Sequence, residues 1–370
     1  MSIIGVIGNS LFAAAGMFWN MFWALVLGFA LSGVVTSFVS KKKTARLLGK
    51  PGFKELGLAL FFGASSSSCS YAAASMTRSL FRKGAHIIPA LAFMLASTNL
   101  VIELSSVLWV MMGWQFVVAE LMGGIVLVLI MAALMQLFGP LEAFALKQKE
   151  LNIGLVDSDD EVGPKEHWRN TAKTFMAEWQ MLWKDILLGV VISGFLMVLV
   201  PDHLWQSIFL QSTSAGSEQF SFIQSFENGL VGPLISVLSF VCSVGNIPLA
   251  SVLYHGGITF GGAISFIYAD LIIIPLILIY RRYYGTKLAL WITGIFYVSM
   301  AATGIVIDLL FHSLNWIPPR HVMGKMTEMH FFEMNYTFWL NVIFFGVAVV
   351  LVWIAKSSPI EKESSCCHEN

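Results

Sequence analysis

Long apolar segments separated by short polar stretches dominate this chain. Seven of them reach about 20 residues, the length at which an α-helix can cross a bilayer. They lie at 12–39, 85–110, 114–138, 182–201, 258–280, 287–312 and 335–355. The pattern therefore predicts an all-α polytopic membrane protein with about seven transmembrane helices.

Two further apolar segments, 55–80 and 227–254, are interrupted by small and polar residues. The interruptions read SSSSCSYAAA at 65–74 and CSVGNIPLA at 242–250. Each segment either crosses the membrane once or enters and leaves on the same side as a re-entrant helical hairpin. Nine full crossings are therefore the alternative to seven crossings plus two hairpins.

The two interrupted segments belong to an internal repeat. At an offset of 173 residues, 69–96 and 242–269 align without a gap and share seven identities. The first two identities are the pair Cys69-Ser70 and its counterpart Cys242-Ser243. Matched Cys-Ser pairs inside an ungapped alignment favour a duplication over chance similarity.

The positions of Lys and Arg distinguish the two topologies, because cytoplasmic loops collect positive charge. With two hairpins and the N-terminus outside, all of the 22 Lys and Arg except Arg320 and Lys325 lie inside. Nine crossings would divide these charges evenly. The favoured hairpin topology inserts the second repeat upside down relative to the first. Inverted repeats with helices broken near the bilayer midplane are typical of transporters.

This topology divides the chain into six parts, with hairpin 55–80 in the first repeat and hairpin 227–254 in the second. The parts are transmembrane repeat one (1–139), a cytoplasmic linker with an interfacial helix beginning at Pro164 (140–181), transmembrane repeat two (182–312), an extracytoplasmic loop (313–334), a final transmembrane helix (335–355) and a disordered cytoplasmic tail (356–370).

The composition agrees with an integral membrane protein. Hydrophobic residues make up 57% of the chain and charged residues only 12%, against about 25% charged residues in soluble domains. A net charge of zero and the lack of a basic face argue against a nucleic-acid partner. The chain contains no GxxxxGK[ST] sequence, so it carries no ATP-hydrolysing motif of this kind, and we expect no cofactor.

The tips of the two predicted hairpins carry the candidate solute site. A helix that restarts inside the membrane presents an N-terminus with about half a positive charge and free N–H donors. Ser70 is predicted to cap one such helix, and Asn246 with Pro248 to form the first turn of the other. The thiols of Cys69 and Cys242 match the ligand preference of thiophilic metals and metalloids, unless both are inert core residues. The predicted substrate-binding residues are Ser68, Cys69, Ser70, Cys242, Ser243, Asn246 and Pro248.

Three polar residues inside predicted helices are candidates for proton or ion coupling. Asp270 lies halfway along 258–280, where a carboxylate is expected to face a cavity or a partner rather than lipid. Glu103 follows Asn99 by one helical turn on the same predicted face. Structural hydrogen bonding is the alternative interpretation for all three residues.

Other polar residues receive simpler interpretations. Glu120 and Asp308 lie near the predicted outer ends of their helices and are interpreted as interfacial. Soft donors in loop 313–334 and in the tail could gather a metal ion, but an apolar stripe and incidental thiols are the preferred interpretations, so no metal site is predicted. These donors are Met323, Met326, Met329, Met334, His321, His330, Cys366, Cys367 and His368.

The two repeat motifs resemble signatures of a known family. The sequence CSVGNIPLASVLYHGGITFGGAISFIYADLIIIP is similar to the second signature of the predicted permeases related to YraQ and to the organoarsenical efflux permease ArsP. SSSSCSYAAASMTRSLFRKGAHIIPALAFMLAST resembles the first signature. The resemblance covers roughly 20–310 and implies a polytopic inner-membrane permease, some of whose relatives expel trivalent arsenic compounds through cysteine contacts. The motif positions in this chain are Cys69, Ser70, Cys242, Asn246, Pro248 and Asp270.

One departure from the family pattern concerns the first tip. Relatives often have PFCSCG-like or PFCSCS-like sequences with two cysteines, whereas this chain has Ser67 in place of the first cysteine and lacks the proline. The first tip therefore contains a single thiol rather than a dithiol.

Together these features predict a secondary permease, not an enzyme, that moves a small soft solute past the two tips. We expect a metalloid or thiophilic metal species, efflux as the direction and proton coupling through Asp270. The partners are a small-molecule or ion substrate and the bilayer of a bacterial-type inner membrane, with the C-terminus cytoplasmic. The alternatives are an anion or sulfur-oxyanion permease, a thiol oxidoreductase cycling Cys69 and Cys242 through a disulfide, and a structural subunit without transport.

Overall fold

A computed structural model of the chain describes residues 3–38, 41–66, 68–152, 164–199, 222–239, 243–255, 257–318 and 336–357. Within these ranges the backbone forms helices and short connections, and none of it is strand. The predicted all-α class is therefore confirmed for the described part of the chain.

Fifteen α-helices and one 3₁₀ helix make up most of the described part of the chain. They are α1 (Ile3–Phe38), α2 (Lys41–Leu48), α3 (Phe53–Ser66), α4 (Ser70–Arg82), α5 (Ile87–Asn99), α6 (Ile102–Met112), α7 (Trp114–Phe138), α8 (Leu141–Asn152), α9 (Pro164–Leu199), α10 (Phe222–Ser239), α11 (Ser243–His255), α12 (Phe260–Tyr268), a short 3₁₀ helix (Ala269–Ile272), α13 (Ile274–Tyr284), α14 (Thr286–Ser313) and α15 (Tyr336–Lys356).

Several of these helices have the length and apolarity needed to cross a bilayer. Among the described residues, α7, α14 and the 337–356 part of α15 meet this requirement individually. The bent pair made of α12, the 3₁₀ helix and α13 is a fourth candidate span, with an angle of 44° between its two arms. The chain is therefore a multi-pass membrane protein.

The observed helix boundaries agree with some predicted segments and divide others. Helix α7 coincides with 114–138, and α14 and α15 lie within a residue of 287–312 and 335–355. Two segments predicted as continuous crossings are broken, because α5 ends before α6 begins within 85–110, and α12 ends before α13 begins within 258–280. At the second break, Pro275 is the second residue of α13, where its missing N–H costs no helical hydrogen bond.

Helix α9 is longer than the sequence predicted. It begins at Pro164 as expected but continues unbroken to Leu199 over 36 residues, which is about 54 Å. It packs along α1, which also has 36 residues, and Trp179 meets Phe29 edge to face with the ring centroids 5.9 Å apart. The interfacial helix and the 182–201 crossing are thus one helix, and the interfacial placement of its first part stays a prediction.

The helix boundaries repeat at the offset of the sequence motif. The end of α3, both ends of α4 and the start of α5 recur 173 residues later as the end of α10, both ends of α11 and the start of α12. A glycine with positive φ follows α4 and α11, namely Gly84 at 98° and Gly257 at 118°. Equivalent short helices and equivalent turns support a duplication of the segment from α3 to α7.

The contacts between the two repeats are reciprocal. Helix α4 of the first repeat contacts α13 of the second, and α6 of the first contacts α11 of the second. These are the same contact with the repeats exchanged. The equivalent helices α7 and α14 contact each other directly. Reciprocal contacts of this kind are expected when two copies are related by a two-fold axis.

Candidate functional site

The first tip connects α3 to α4 and is fixed to the end of α5. The backbone N–H of Ser68 donates a 3.0 Å hydrogen bond to the carbonyl oxygen of Ser97. Ser68 is buried, and Ser97 lies in the last turn of α5, directly before the break between α5 and α6. The tip therefore rests on the broken helix of its own repeat.

The same tip also contacts the broken helix of the other repeat. The hydroxyl of Ser70, the first residue of α4, donates a 2.6 Å hydrogen bond to Oδ2 of Asp270. Both residues are buried, and Asp270 lies in the 3₁₀ helix between α12 and α13. Under the 173-residue offset Asp270 is the counterpart of Ser97. The first tip is therefore held between the equivalent breaks of the two repeats.

Cys69 lies between these two contacts. It is half-buried and occupies the N-cap position of α4, where its side chain accepts no capping hydrogen bond. The prediction that Ser70 caps this helix is therefore wrong, because Ser70 is already its first helical residue and its hydroxyl donates to Asp270. This places a thiol, which is not in a disulfide, beside the positive end of a helix.

The second tip is described only in part. Cys242 lies outside the described residues, as do the side chains of Ser243 and Pro248. Asn246 is fully buried, and its Nδ2 donates to the hydroxyl of Ser236 on α10 at 3.3 Å. Asn246 and Pro248 do not form the first turn that was predicted, because α11 already begins at Ser243. That start is the counterpart of Ser70, and the meeting of the two thiols stays a prediction.

The predicted pair of Asn99 and Glu103 does not share one helix. Asn99 ends α5, where it is buried and its Nδ2 donates to the carbonyl of Leu95 at 3.1 Å. Glu103 belongs to α6, and its side chain lies outside the described residues. Because the backbone breaks between them, the prediction of a common helical face is wrong.

Glu120 is a buried acid that the sequence interpretation placed at the membrane interface. It lies in α7 with no exposed surface, and its backbone carbonyl accepts a 2.7 Å hydrogen bond from the hydroxyl of Tyr268. Neither of its carboxylate oxygens forms a hydrogen bond with any described residue. An ionisable residue within a 25-residue apolar helix was the available signal, but the sequence did not show which way it faces.

Asp308 is also buried inside the protein. Its Oδ1 accepts a 3.0 Å hydrogen bond from the backbone N–H of Gly261, and its Oδ2 accepts one from the hydroxyl of Ser225. Gly261 is the second residue of α12, so this carboxylate satisfies a first-turn donor of that helix. With both oxygens bonded, Asp308 holds α12, α10 and α14 together.

Among the described residues, the start of α4 offers the Cys69 thiol, the Ser68 and Ser70 hydroxyls and the buried Asp270 carboxylate. Such a set can bind a cation or a soft solute. No group of three or more His, Cys, Asp or Glu within the described ranges could hold a metal ion. The Met and His residues of 321–334 and the Cys and His residues of the tail lie outside those ranges.

Comparisons with known proteins agree with the architecture. Residues 8–309 match the sequence model of the family ArsP_1, described as a predicted permease. Rv2963 of Mycobacterium tuberculosis, a permease by name, is 42% identical over 368 residues, covering 95% of this chain and 88% of that protein. The UPF0718 protein YraQ of Escherichia coli is 21% identical over 285 residues, covering 77% and 75% of the two chains. No solved structure matches.

Proposed function

Because this chain belongs to the ArsP_1 family of predicted permeases, we propose that it is a secondary permease whose solute passes the first tip. The single observation that carries the proposal is the hydrogen bond from Ser70 to Asp270. It joins the start of a broken segment in one repeat to the break of a helix in the other repeat. Irregular backbone inside a membrane protein is expected only where it is buried in protein or lines a pathway.

The contact supplies a way to couple solute binding to an ion. The N-terminus of α4 carries a partial positive charge, and Asp270 now receives the hydroxyl of Ser70 beside it. A solute that takes over the Ser70 hydroxyl must displace Asp270, and neutralising Asp270 makes this displacement easier. Asp270 is therefore the coupling residue, and α4 with the tip is the element whose position it controls.

A soft solute fits the chemistry of the tips. Cys69 lies directly before Ser70, and Cys242 holds the equivalent position before Ser243. Thiolates prefer thiophilic metals and metalloids. We assign the substrate site to both tips, namely Ser68, Cys69, Ser70, Cys242, Ser243, Asn246 and Pro248. We propose efflux across an inner membrane by analogy with the family. The distribution of positive charge supports an N-terminus outside the cell.

One observation favours a second candidate, an anion or sulfur-oxyanion permease. The side chain of Cys69 at the N-cap of α4 accepts no hydrogen bond from that helix. The first backbone N–H groups of a helix are an anion-binding arrangement. In this alternative the α4 N-terminus binds the solute and the thiols play no part.

Transport into inside-out membrane vesicles tests both candidates. The variants are Cys69→Ser, Cys242→Ser and the double replacement, and a Cys366→Ser/Cys367→Ser protein serves as the control. Loss of trivalent arsenic or antimony accumulation in the first three proteins, with transport kept in the control, supports the soft-solute permease. Retained accumulation in the double variant would show that the thiols do not bind the solute. If that variant instead accumulates thiosulfate or selenite at the wild-type rate, the oxyanion candidate is correct.

A further inference from the structure

We propose that the solute travels between the first tip and the cytoplasm along α4, and that a cluster of three side chains closes this route. The three residues of this Arg78 cluster are Arg78, Glu178 and Tyr283. The inference rests on the proposed function, because it adds to that permease the route between its first tip and one face of the membrane.

Helix α4 is a polar helix inside a membrane protein. Ten of its 13 residues are buried, and four of these are Ser70, Ser75, Thr77 and Ser79. The helix begins at the first tip, runs for about 20 Å and ends at Arg82. Because basic residues collect at the cytoplasmic face, α4 leads from the tip toward the cytoplasm. A buried polar helix in this position is expected to line a pathway.

Three hydroxyls connect α4 to α1 along this route. The hydroxyl of Ser75 donates a 3.1 Å hydrogen bond to that of Ser32 on α1, which lies 2.7 Å from the hydroxyl of Ser79. All three residues are buried. Ser75 and Ser79 are one helical turn apart, so their hydroxyls lie on the same side of α4. A solute that moves along this side can exchange hydrogen bonds with them.

The Arg78 cluster joins α4 to two other helices at the same turn. The Arg78 guanidinium lies 4.5 Å from the ring centroid of Tyr283 on α13 and 3.8 Å from Oε1 of Glu178 on α9. The hydroxyl of Tyr283 donates a 3.1 Å hydrogen bond to Oε2 of Glu178. Each of the three side chains therefore contacts the other two. Arg78 follows Ser70 by eight residues, so the cluster lies about 12 Å beyond the tip along α4.

The hydroxyls and the cluster lie at one level of the molecule. Glu178 is followed by Trp179, whose ring meets that of Phe29 on α1. Phe29 precedes Ser32 by about one helical turn. The helices α1, α4, α9 and α13 thus meet around the turn of α4 that carries both groups.

The second repeat has no equivalent of the cluster. The contact of α4 with α13 recurs as the contact of α11 with α6. At the 173-residue offset, Arg78 corresponds to Ser251 and Tyr283 to Val110, and neither counterpart is charged. The duplicated packing therefore does not require the cluster. In a transporter with inverted repeats, equivalent contacts are expected to close opposite faces of the membrane. An ionic cluster at one of them stabilises the closure of one face only.

The face that the cluster closes is the cytoplasmic one. Both helices of this contact end in basic residues, with Arg82 at the end of α4 and Arg281 and Arg282 in the last turn of α13. Opening this face requires Arg78 to leave Glu178 and Tyr283, so that α4 moves away from α9 and α13. The half-buried thiol at the start of α4 then becomes accessible from the cytoplasm.

Modification of Cys69 by a charged, impermeant methanethiosulfonate reagent tests the route without any solute. The rate is followed by mass spectrometry of the Cys69 peptide, in inside-out and in right-side-out vesicles. The proteins are wild type, Glu178→Gln, Tyr283→Phe and, as the matched control, Lys147→Ala, which removes an exposed ion pair on α8.

We expect both cluster variants to react about tenfold faster than wild type in inside-out vesicles, the factor that corresponds to losing one hydrogen bond to a charged group. Their rates in right-side-out vesicles should equal that of wild type, and the control should match wild type in both preparations.

Three results would overturn the inference. Unchanged rates in inside-out vesicles would show that the cluster does not close the route. Faster reaction only in right-side-out vesicles would place the closure on the other face, and faster reaction in both preparations would show a general loosening of α4. Tyr283→Phe removes a single hydroxyl, so it decides the test if Glu178→Gln fails to fold. Because no solute is involved, a negative result would leave the permease proposal, which the cysteine variants test, intact.

Discussion

Gly261 of α12 and Gly304 of α14 approach so closely that neither has room for a side chain. A Cβ on Gly261 would lie 2.0 Å from the carbonyl oxygen of Gly304, and a Cβ on Gly304 would lie 2.6 Å from the carbonyl oxygen of Gly261. Close backbone approach through small residues is a common packing mode of membrane helices. Here it holds α12, which ends two residues before Asp270, against α14.

Replacing Gly261 by Ala should therefore displace α12 from α14 and move Asp270 away from Ser70. We expect a clear fall in the apparent melting temperature of the detergent-solubilised protein, because overpacking a well-packed contact costs about 1–3 kcal/mol. Gly294→Ala on the same α14 is the control, since a Cβ there meets no atom within 4 Å. The control should be neutral or slightly stabilising, because Ala is the better helix former. Equal melting temperatures for the two variants would contradict the close approach.

Replacing Ser70 by Ala removes the donor that Asp270 accepts in a buried site. Loss of one partner of a buried charged hydrogen bond costs about 1–3 kcal/mol, so we expect lower thermal stability and slower solute transport. Ser70→Thr keeps a hydroxyl and should recover most of both properties. Ser65→Ala is the matched control, because Ser65 is exposed and its hydroxyl donates only to the carbonyl of Phe61. A Ser70→Ala protein that matches Ser70→Thr in both measurements would remove this contact from the mechanism.

The sequence predicted that a helix restarts in each interrupted segment, and the reason is local: small polar residues before an apolar run favour a helix start. The cap predicted at Ser70 lies one residue from the observed cap at Cys69, whereas the second helix, α11, begins at Ser243, three residues before the predicted Asn246. The breaks between α5 and α6 and between α12 and α13 were missed, because hydropathy averages over residues that are apolar on both sides of each break. Only Pro275 marked one of them.

The contacts that build the site were beyond sequence reasoning for a different reason. Ser70 and Asp270 are 200 residues apart, and Tyr268 reaches the carbonyl of Glu120 across 148 residues. Hydropathy indicates that Glu120 lies within an apolar helix, but it does not indicate which neighbouring helix the Glu120 side chain faces. Reciprocal packing of the two repeats brings each of these pairs together, and no local pattern contains that packing.

A cluster of side chains around Arg78 connects α4 to two further helices. The Arg78 guanidinium lies 4.5 Å from the ring centroid of Tyr283 and 3.8 Å from Glu178, and Tyr283 donates a 3.1 Å hydrogen bond to Glu178. These three residues join α4, α13 and α9. Tyr283→Phe keeps the ring beneath Arg78 but removes a hydrogen bond to a buried carboxylate. We therefore expect the free energy of unfolding to fall by about 1.5–3 kcal/mol, measured as a lower apparent melting temperature.

The control for this cluster is an exposed ion pair. Lys147 and Glu150 are one helical turn apart on α8, with a nitrogen-to-oxygen distance of 2.8 Å. Exposed pairs of this kind contribute about 0–1 kcal/mol, so Lys147→Ala should leave the apparent melting temperature almost unchanged. If Tyr283→Phe shifts it no more than Lys147→Ala does, the cluster does not stabilise α4.

The two repeats are expected to have opposite orientations in the membrane. The reciprocal contacts of α4 with α13 and of α6 with α11 indicate that a two-fold axis relates the two repeats. They do not give the direction of that axis relative to the membrane. An axis in the membrane plane puts equivalent loops on opposite faces, whereas an axis along the membrane normal puts them on the same face. The positive charges of the chain favour the first arrangement.

The loops at Gly113, before α7, and at Gly285, before α14, are equivalent and both carry a positive φ. Trp114→Cys and Thr286→Cys, each at an exposed position in a protein whose native cysteines are Ser, should therefore react with an impermeant maleimide from opposite sides. We expect intact cells to label Trp114→Cys and inside-out vesicles to label Thr286→Cys. Labelling of both from one side would mean parallel repeats, and the two tips would then enter from the same face of the membrane.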